Sequence, residues 1–184
     1  MKAADRFKDP PARANELWQT DFSYLKVVHW GWYYLTTILD DYSCYIIALD
    51  LCKNMRSDDV ERVVLKVLDR TGLKIHERPR LLSDNGSCYI SGDLKEFLDE
   101  EGIIHVRGKP LHPQTQGKVE RYHRSIKNII RLEQYYSPEE LKRKITEFVD
   151  HYNNHRYHES LNNVTPTDAY FGREKEILER RAKN

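Results

Sequence analysis

Three stretches near the start of the chain are rich in aromatic and β-branched residues: Trp18 to Val28, Trp32 to Leu39 and Tyr42 to Leu51. The breaks between them, His29-Trp30-Gly31 and Asp40-Asp41, are short enough for hairpins, which predicts three consecutive antiparallel strands. The period then changes. Ser57 reads as the N-cap of an amphipathic helix that turns Val60, Val63, Val64, Val67 and Leu68 inward and ends at Thr71-Gly72. A short apolar strand, Arg80 to Ser83, runs into the turn signal Asp84-Asn85-Gly86. Gly92 to Glu101 is a second helix closed by Gly102, and Ile103 to Arg107 a fifth strand. After a loop punctuated by Pro110, Pro113 and Gly117, a third helix repeats Val119, Tyr122, Ile126, Ile129 and Ile130. Ser137-Pro138 starts a fourth helix, packing Leu141, Ile145, Phe148, Val149 and Tyr152, and Thr165-Pro166 a short fifth. The order β-β-β-α-β-α-β-α-α-α predicts an α/β fold: a mixed five-stranded sheet with helices on both faces, its parallel pairs joined by right-handed crossovers. Residues 1–15 have no periodicity and read as a linker or boundary segment, 16–172 as one core, and 173–184 as a charged tail.

Composition narrows the class. A chain of 184 residues with 39% hydrophobic and 32% charged residues and a mean hydropathy of -0.77 is polar and large enough for one core. No run of about 18 apolar residues is present, so no membrane span is expected. The first twenty residues lack an apolar h-region, which argues against a secretory signal and for a cytoplasmic or nucleoid-associated location. Cys44, Cys52 and Cys88 are odd in number and widely spaced, suggesting buried thiols rather than a disulfide framework or zinc knuckle. His151 and His155 share a helix face, but no Cys or further ligand pair accompanies them as a zinc site would require.

Net charge is only +1, yet its distribution is uneven. Between His105 and Arg131 there are seven Lys or Arg against one acid, Glu120. Glu120, Arg124, Lys127 and Arg131 lie on one helical face, so a single carboxylate heads a column of cations. One reading is an exposed helix in which Glu120 pairs with Arg124, contributing a few tenths of a kcal/mol. The other is a metal ligand beside phosphate-binding cations. Two further acids support the second. Asp21 interrupts an aromatic and apolar first strand, and Asp84 sits where the fourth strand ends, at the sheet edge where open α/β sites form. If these strands are neighbours, both acids face one crevice and the third helix lays Glu120 across it. Asp40-Asp41 and Asp58-Asp59 are rival pairs, read instead as a hairpin turn and as first-turn acids that suit the helix dipole. Two carboxylates ~5 Å apart repel by roughly 3 kcal/mol at an effective dielectric near 20, so such a trio calls for divalent cations. Ligands that are all oxygen favour Mg²⁺ or Mn²⁺, and two ions ~3.5–4 Å apart suit in-line displacement at phosphorus.

The segments WQTDFSYL, LLSDNGS and HPQTQGKVERYHRSIK, with 35 residues between Asp84 and Glu120, together resemble the catalytic core of the DDE transposase and retroviral integrase superfamily. The later HYNNHRYHESLNNVTPTDAYFG is similar to the segment that follows this core in bacterial insertion-sequence transposases. The resemblance covers roughly Trp18 to Gly172. It implies an RNase H-like fold, two Mg²⁺ (or Mn²⁺) ions per active site held by Asp21, Asp84 and Glu120, and polynucleotidyl transfer: hydrolysis that frees a 3′ end, then strand transfer. Arg124 and Lys127 match positions where retroviral integrases carry lysines that touch the DNA end, here with Arg at the first. Lys118, Arg121, Arg124, Lys127 and Arg131 are the expected DNA-binding cations, and Gln114-Thr115-Gln116 with Gly117 an expected mobile loop over DNA.

The implied partners are DNA, as element ends and target, and further copies of the chain in a homodimer or higher assembly. Family members usually begin with an end-recognising domain, and nothing like one is evident, so the expectation is a catalytic-core fragment with little sequence preference. Two other functions share parts of this pattern: a structure-selective nuclease on the same fold without strand transfer, and a domesticated, inactive DNA-binding or scaffold protein.

Overall fold

The computed structural model describes residues 10–108 and 117–183. Five strands, β1 (Leu17–Val27), β2 (Gly31–Asp40), β3 (Ile46–Cys52), β4 (Arg80–Ser83) and β5 (Ile104–Arg107), form one sheet in the order β3-β2-β1-β4-β5. The first three pair antiparallel, whereas β4 is parallel to both β1 and β5. Among the described residues six α-helices accompany them: α1 (Ser57–Thr71), α2 (Gly92–Glu100), α3 (Gly117–Ile130), α4 (Pro138–Asn154), α5 (Pro166–Tyr170) and α6 (Glu174–Ala182).

The alternation of β1 explains the two layers. Trp18 and Phe22 point to one face, where α1 and α2 supply Val60, Val63, Val67, Leu94 and Leu98. Leu25 and Val27 point to the other, where α3 and α4 supply Tyr122, Ile126, Ile130, Leu141 and Ile145. Gln19 and Asp21 belong to this second set by parity, so the polar positions of β1 face α3. Buried Asn153 ties α4 to the sheet. Its Oδ1 accepts from the Ile46 N–H at 2.9 Å and its Nδ2 donates to the Ile46 carbonyl at 3.0 Å.

Several element ends differ from the sequence expectation, each for a local reason. The third strand starts at Ile46 rather than Tyr42, because the buried Asp40 carboxylate accepts from the Ser43 N–H and hydroxyl at 2.9 and 2.6 Å and holds residues 41–45 in a turn. The cap of α1 is Arg56, not Ser57, since Asp59 reaches back to accept the Arg56 N–H at 3.0 Å. In α3 the inward stripe is Val119, Tyr122, His123, Ile126 and Ile130, while Ile129 falls one position off and is exposed. The charged segment after Gly172 is helical. Arg173 pairs with Asp168 at 2.9 Å, and Ile177 and Leu178 of α6 pack against Leu161, Val164 and Ala169. All three cysteines are buried and free. No helix among the described residues is long and apolar enough to cross a membrane.

His105, on β5, has its Nε2 2.8 Å from the Ser83 hydroxyl, and burial, reinforced by Arg107, holds its pKa down to about 4. The unfolded chain, with His near 6.5, therefore binds the proton more readily than the folded one between these values. Stability present above 6.5 is lost as pH falls toward 4. Urea midpoints measured at about pH 7 and pH 4.5 should fall further for the wild type than for His105→Asn. Parallel losses in the two proteins would sink this assignment.

Candidate active site

β1 carries the first candidate ligand. Its pairing with β4 runs Leu17 with Arg80, Trp18 with Leu81 and Gln19 with Leu82. Counting two positions beyond the last pair brings Asp21, within β1, level with Asp84, the residue that follows β4. Their charges reach common neighbours. Burial pushes the Cys88 thiol up to about 11, and Asp84 and Asp21 both add to the shift. The buried Tyr89 hydroxyl is raised by burial first and then by Asp21, Cys88 and Asp84.

Asp84 opens a tight turn in which its Oδ1 accepts the Gly86 N–H at 2.8 Å. A Cβ on Gly86 would sit 3.0 Å from that oxygen, so glycine is what allows the carboxylate to lie over the turn. Asp21 Oδ1 accepts from the Phe22 N–H at 2.8 Å, and Oδ2 lies 3.3 Å from His123 Nδ1. His123 is 5% exposed, and its Nε2 is 3.4 Å from the Thr37 hydroxyl. A tautomer with hydrogen on Nδ1 satisfies both contacts, donating to Asp21 and accepting from Thr37.

The third acid is positioned by a buried polar clamp. Gln19, 2% exposed, accepts the Val119 N–H at 3.1 Å through Oε1 and donates to Asp41 through Nε2. Asp41 also accepts from Lys118 Nζ at 3.0 Å, and the same ammonium donates to the Asp41 carbonyl. Val119 lies in the first turn of α3, where N–H groups have no partner within the helix. The clamp therefore fixes both the start and the rotation of α3, and Glu120 is the next residue.

The outcome is a pocket of about 350 Å³ lined by Asp21, Phe22, Glu120, His123, Arg124, Lys127, Asn128 and Arg131. Glu120 is exposed and makes no ion pair with Arg124 or any other cation among the described residues. Asp21 and Glu120 thus meet in one cationic pocket. Asp84 is not among its lining residues, and among the described residues no three acid, His or Cys side chains converge as a closed metal cage, His151 and His155 included. Of the expected DNA-binding cations, Arg124, Lys127 and Arg131 line the pocket, whereas Lys118 is taken up by Asp41 and Arg121 lies elsewhere on α3. Gln114-Thr115-Gln116 lies outside the described residues.

His123, Asn128 and Gln19 are site residues that the sequence reading did not single out. A signal for the first two existed. Glu120, His123, Arg124, Lys127, Asn128 and Arg131 complete an i, i+3, i+4, i+7, i+8, i+11 stripe, whose charged members are the ones that charge patterning marks.

The donor set suits hard divalent cations: carboxylate oxygens only, with one oxygen of Asp84 and both of Glu120 uncommitted among the described residues. A mixed sheet of this order with helices on both faces and acids at the β1–β4 edge defines the RNase H-like architecture. Within it, this chain belongs to the integrase core domain family, which matches residues 11–113 and, through a second domain of the same description, residues 101–166. It is 28% identical over 159 residues to the protein of Escherichia coli (strain K12) named "Putative transposase InsK for insertion sequence element IS150", covering 85% of this chain and 54% of that protein. It is 30% identical over 147 residues to the Gag-Pro-Pol polyprotein of mouse mammary tumor virus (strain BR6), covering 74% of this chain and 8% of the polyprotein. The chain therefore spans about half of the first relative and a small part of the second. The HTLV-2 integrase catalytic core domain in complex with magnesium, solved in trimeric and dimeric forms, shares the fold: the trimeric form gives a TM-score of 0.68 at 21% identity, covering 86% of this chain and 98% of that one. An intasome of simian T-cell lymphotropic virus gives a TM-score of 0.74 at 20% identity, covering 88% and 56%.

Gln19→Leu should leave the Val119 N–H without a partner and the Asp41 carboxylate with Lys118 alone, a loss of about 1–3 kcal/mol. It should also weaken Mn²⁺-induced stabilisation in thermal melts, since Glu120 loses its fixed origin. A variant as stable as the wild type, with an unchanged Mn²⁺ response, would show the clamp to be incidental.

Proposed function

We propose that this chain is the catalytic core of a DNA strand transferase, cutting DNA to free a 3′ end and joining that end to a target strand. The observation that carries the reading is the shared pocket of Asp21 and Glu120, rimmed by Arg124, Lys127 and Arg131, with Asp84 level with Asp21 on the adjoining strand. A carboxylate pair surrounded by cations is suited to a substrate that is itself an anion, because phosphate oxygens satisfy the cations while the acids take divalent ions. Asp21, Asp84 and Glu120 would hold Mg²⁺ or Mn²⁺, as a pair of ions, which when bound would activate the attacking hydroxyl and offset charge on the leaving oxygen.

The remaining work falls to side chains of this protein. Arg124, Lys127 and Arg131, one turn apart along α3, hold successive phosphates of one backbone and fix the scissile bond at the Asp21 end of the groove. His123 keeps the Asp21 carboxylate aimed into the pocket. It also excludes water from behind that carboxylate, because the ring fills the space between β1 and α3. In the cutting step a water oxygen bonds to phosphorus and the 3′ oxygen leaves. In the joining step that 3′ hydroxyl bonds to a target phosphorus and releases a 3′ hydroxyl on the target strand. Pairing two DNA ends requires at least two copies of the chain, which favours a homodimer or larger assembly as the active form.

Asp21→Asn, Asp84→Asn and Glu120→Gln should each reduce metal-dependent nicking and joining of branched DNA below detection. The metal-free fold should be as stable or slightly more so, because carboxylate repulsion is relieved. The same variants should lose stabilisation by Mn²⁺ in thermal melts. Unfolding of all three at ordinary expression temperature would instead make these acids structural, and joining activity in any of them would remove that residue from the ligand set. Nicking without 3′-hydroxyl joining by the wild type would point to a nuclease.

Arg124→Ala and Lys127→Ala should weaken binding to all duplex sequences alike and each lower the log–log salt slope by roughly one unit. Lys118→Ala should leave that slope unchanged and reduce stability instead, since its ammonium is held by Asp41. A change in sequence preference with an unaltered slope would identify a base reader among them.

A further inference from the structure

β4 pairs with β1 only as far as Gln19, so from Asp21 to Val27 the β1 edge facing away from β2 has no strand beside it among the described residues. That edge is about 20 Å long at ~3.3 Å per residue. α3 runs beside it. A second cavity, about 420 Å³, continues the carboxylate pocket along the same edge, and Arg131 lines both. Its walls include Tyr24, Lys26 and Trp32 on one side and Ile130, Gln134 and Tyr135 on the other. The one acid among its described lining residues, Glu133, is already paired with Lys144 at 2.8 Å.

Three large rings at this end of the β1–β2 hairpin lie half in solvent: Tyr24 is 50% exposed, Trp30 53% and Trp32 51%. Tyr24 and Trp32 meet edge to face, 5.6 Å apart at 78°, so the contact takes up one flat side of one ring and none of the other. Cations stand against them. Lys127 Nζ is 4.5 Å from the centre of Tyr24, Lys26 Nζ 5.9 Å from that of Trp32, and Lys53 Nζ 5.7 Å from that of Trp30. Exposed rings interleaved with ammonium groups, in a groove that starts at a phosphate-handling pocket, suit a flexible polyanion that carries flat faces.

We infer that the Tyr24–Trp32 groove, extended by Trp30 at the hairpin tip, is a stacking platform for unpaired bases of a DNA strand leaving the carboxylate pocket. The inference rests on the function proposed above for that pocket, and adds which form of DNA the neighbouring surface takes. A single strand fits better than a duplex for two reasons. Bases already stacked in a helix offer no free face to Tyr24 or Trp32. The groove, bounded by one strand edge and one helix, has room for one backbone, several nucleotides long at ~3.4 Å or more each. Nucleic acid is favoured over a protein strand pairing with the β1 edge, because Lys26, Lys53 and Arg131 would face such a polypeptide with no acid of this surface left to balance them.

The test separates stacking from chemistry by omitting metal. The full chain, in EDTA, is titrated with a thymidine oligonucleotide of roughly 12 nucleotides, within the span of one single-strand platform, and with a blunt duplex of the same length. Quenching of tryptophan fluorescence and anisotropy of labelled DNA are followed. Trp18 is fully buried, so quenching reports on Trp30 and Trp32. The wild type should bind the single strand with quenching. Trp32→Ala and Tyr24→Ala should each weaken it about tenfold or more, the scale of one lost base–aromatic stack, while affecting the duplex far less. Trp32→Phe should keep most of the affinity, and circular dichroism should show all variants folded, since these rings lie at the surface. Equal single-strand binding by Trp32→Ala and wild type would overturn the platform. So would absence of quenching with every oligonucleotide, leaving the β1 edge to a polypeptide partner. Neither result would touch the metal-dependent assays of Asp21, Asp84 and Glu120, so the two proposals fail separately.

Discussion

The contact on which the rest of the site depends is the buried hydrogen bond from the Val119 N–H to Gln19 Oε1. A helix lying on a sheet by apolar contact alone can slide or rotate by a fraction of a turn, because burial energy has little direction. One hydrogen bond to an otherwise unpartnered N–H of the first helical turn removes that freedom, and leaving it unmade inside the protein costs about 1–3 kcal/mol. Since Gln19 is two residues before Asp21 on the same face of β1, and Val119 immediately precedes Glu120, the bond sets the distance between the two acids through very short covalent levers. Asp41 and Lys118 extend it into a network, so a lysine in the sequence's most basic stretch serves the fold rather than a ligand.

That division of labour explains how the helix can present so much positive charge without collapsing it. Lys118 at the buried end has its counter-ion in Asp41, and farther along Lys127 leans on Tyr24, which steadies the ammonium without neutralising it. Arg124 and Arg131 line the pocket. Charge left uncompensated by the fold is charge available to phosphates. The same logic applies to the acids, for Glu120 has no internal partner among the described residues and Asp84 gives one oxygen to its own turn.

Much of the architecture was legible because apolar periodicity reports burial directly: β4 was delimited from its residues alone, and α4 and α5 begin at the Ser-Pro and Thr-Pro steps expected to start them. Three acids stood out as candidates for different reasons: Asp21 as an acid in an apolar strand, Asp84 by its place where the fourth strand ends, and Glu120 as the one acid in a basic stretch. Other features depended on long-range polar contacts that no periodicity carries. Gln19 looks like an ordinary strand residue until Val119, a hundred positions later, supplies its donor. Asp40 and Asp41 both suggest a turn, yet one shapes the β2–β3 connection and the other anchors α3, a difference settled by which neighbours reach them. His123 was hidden by its own chemistry. An imidazole at a core position satisfies the helical pattern as well as Ile129 does, and only the polar atoms of Asp21 and Thr37 decide which of the two turns inward.

Sheet order then gives the site its asymmetry. Because β4 is short and leaves β1 after Gln19, the acids mark the point where the sheet narrows from five strands to three. On one side of that point the crevice is closed by Asp84 and the turn after β4, and on the other it opens along the free β1 edge beneath α3. A DNA strand crossing the carboxylates, as proposed, would therefore have one constrained side and one open side. The open side is where the part of the β1 edge that has no strand beside it among the described residues, the cations of α3 and the rings of the hairpin coincide. An unpaired strand edge in a soluble protein ordinarily invites association with other strands. Here Lys26, Lys127 and Arg131 crowd that edge, which disfavours uncharged β-partners and favours an anionic occupant for the same span of chain.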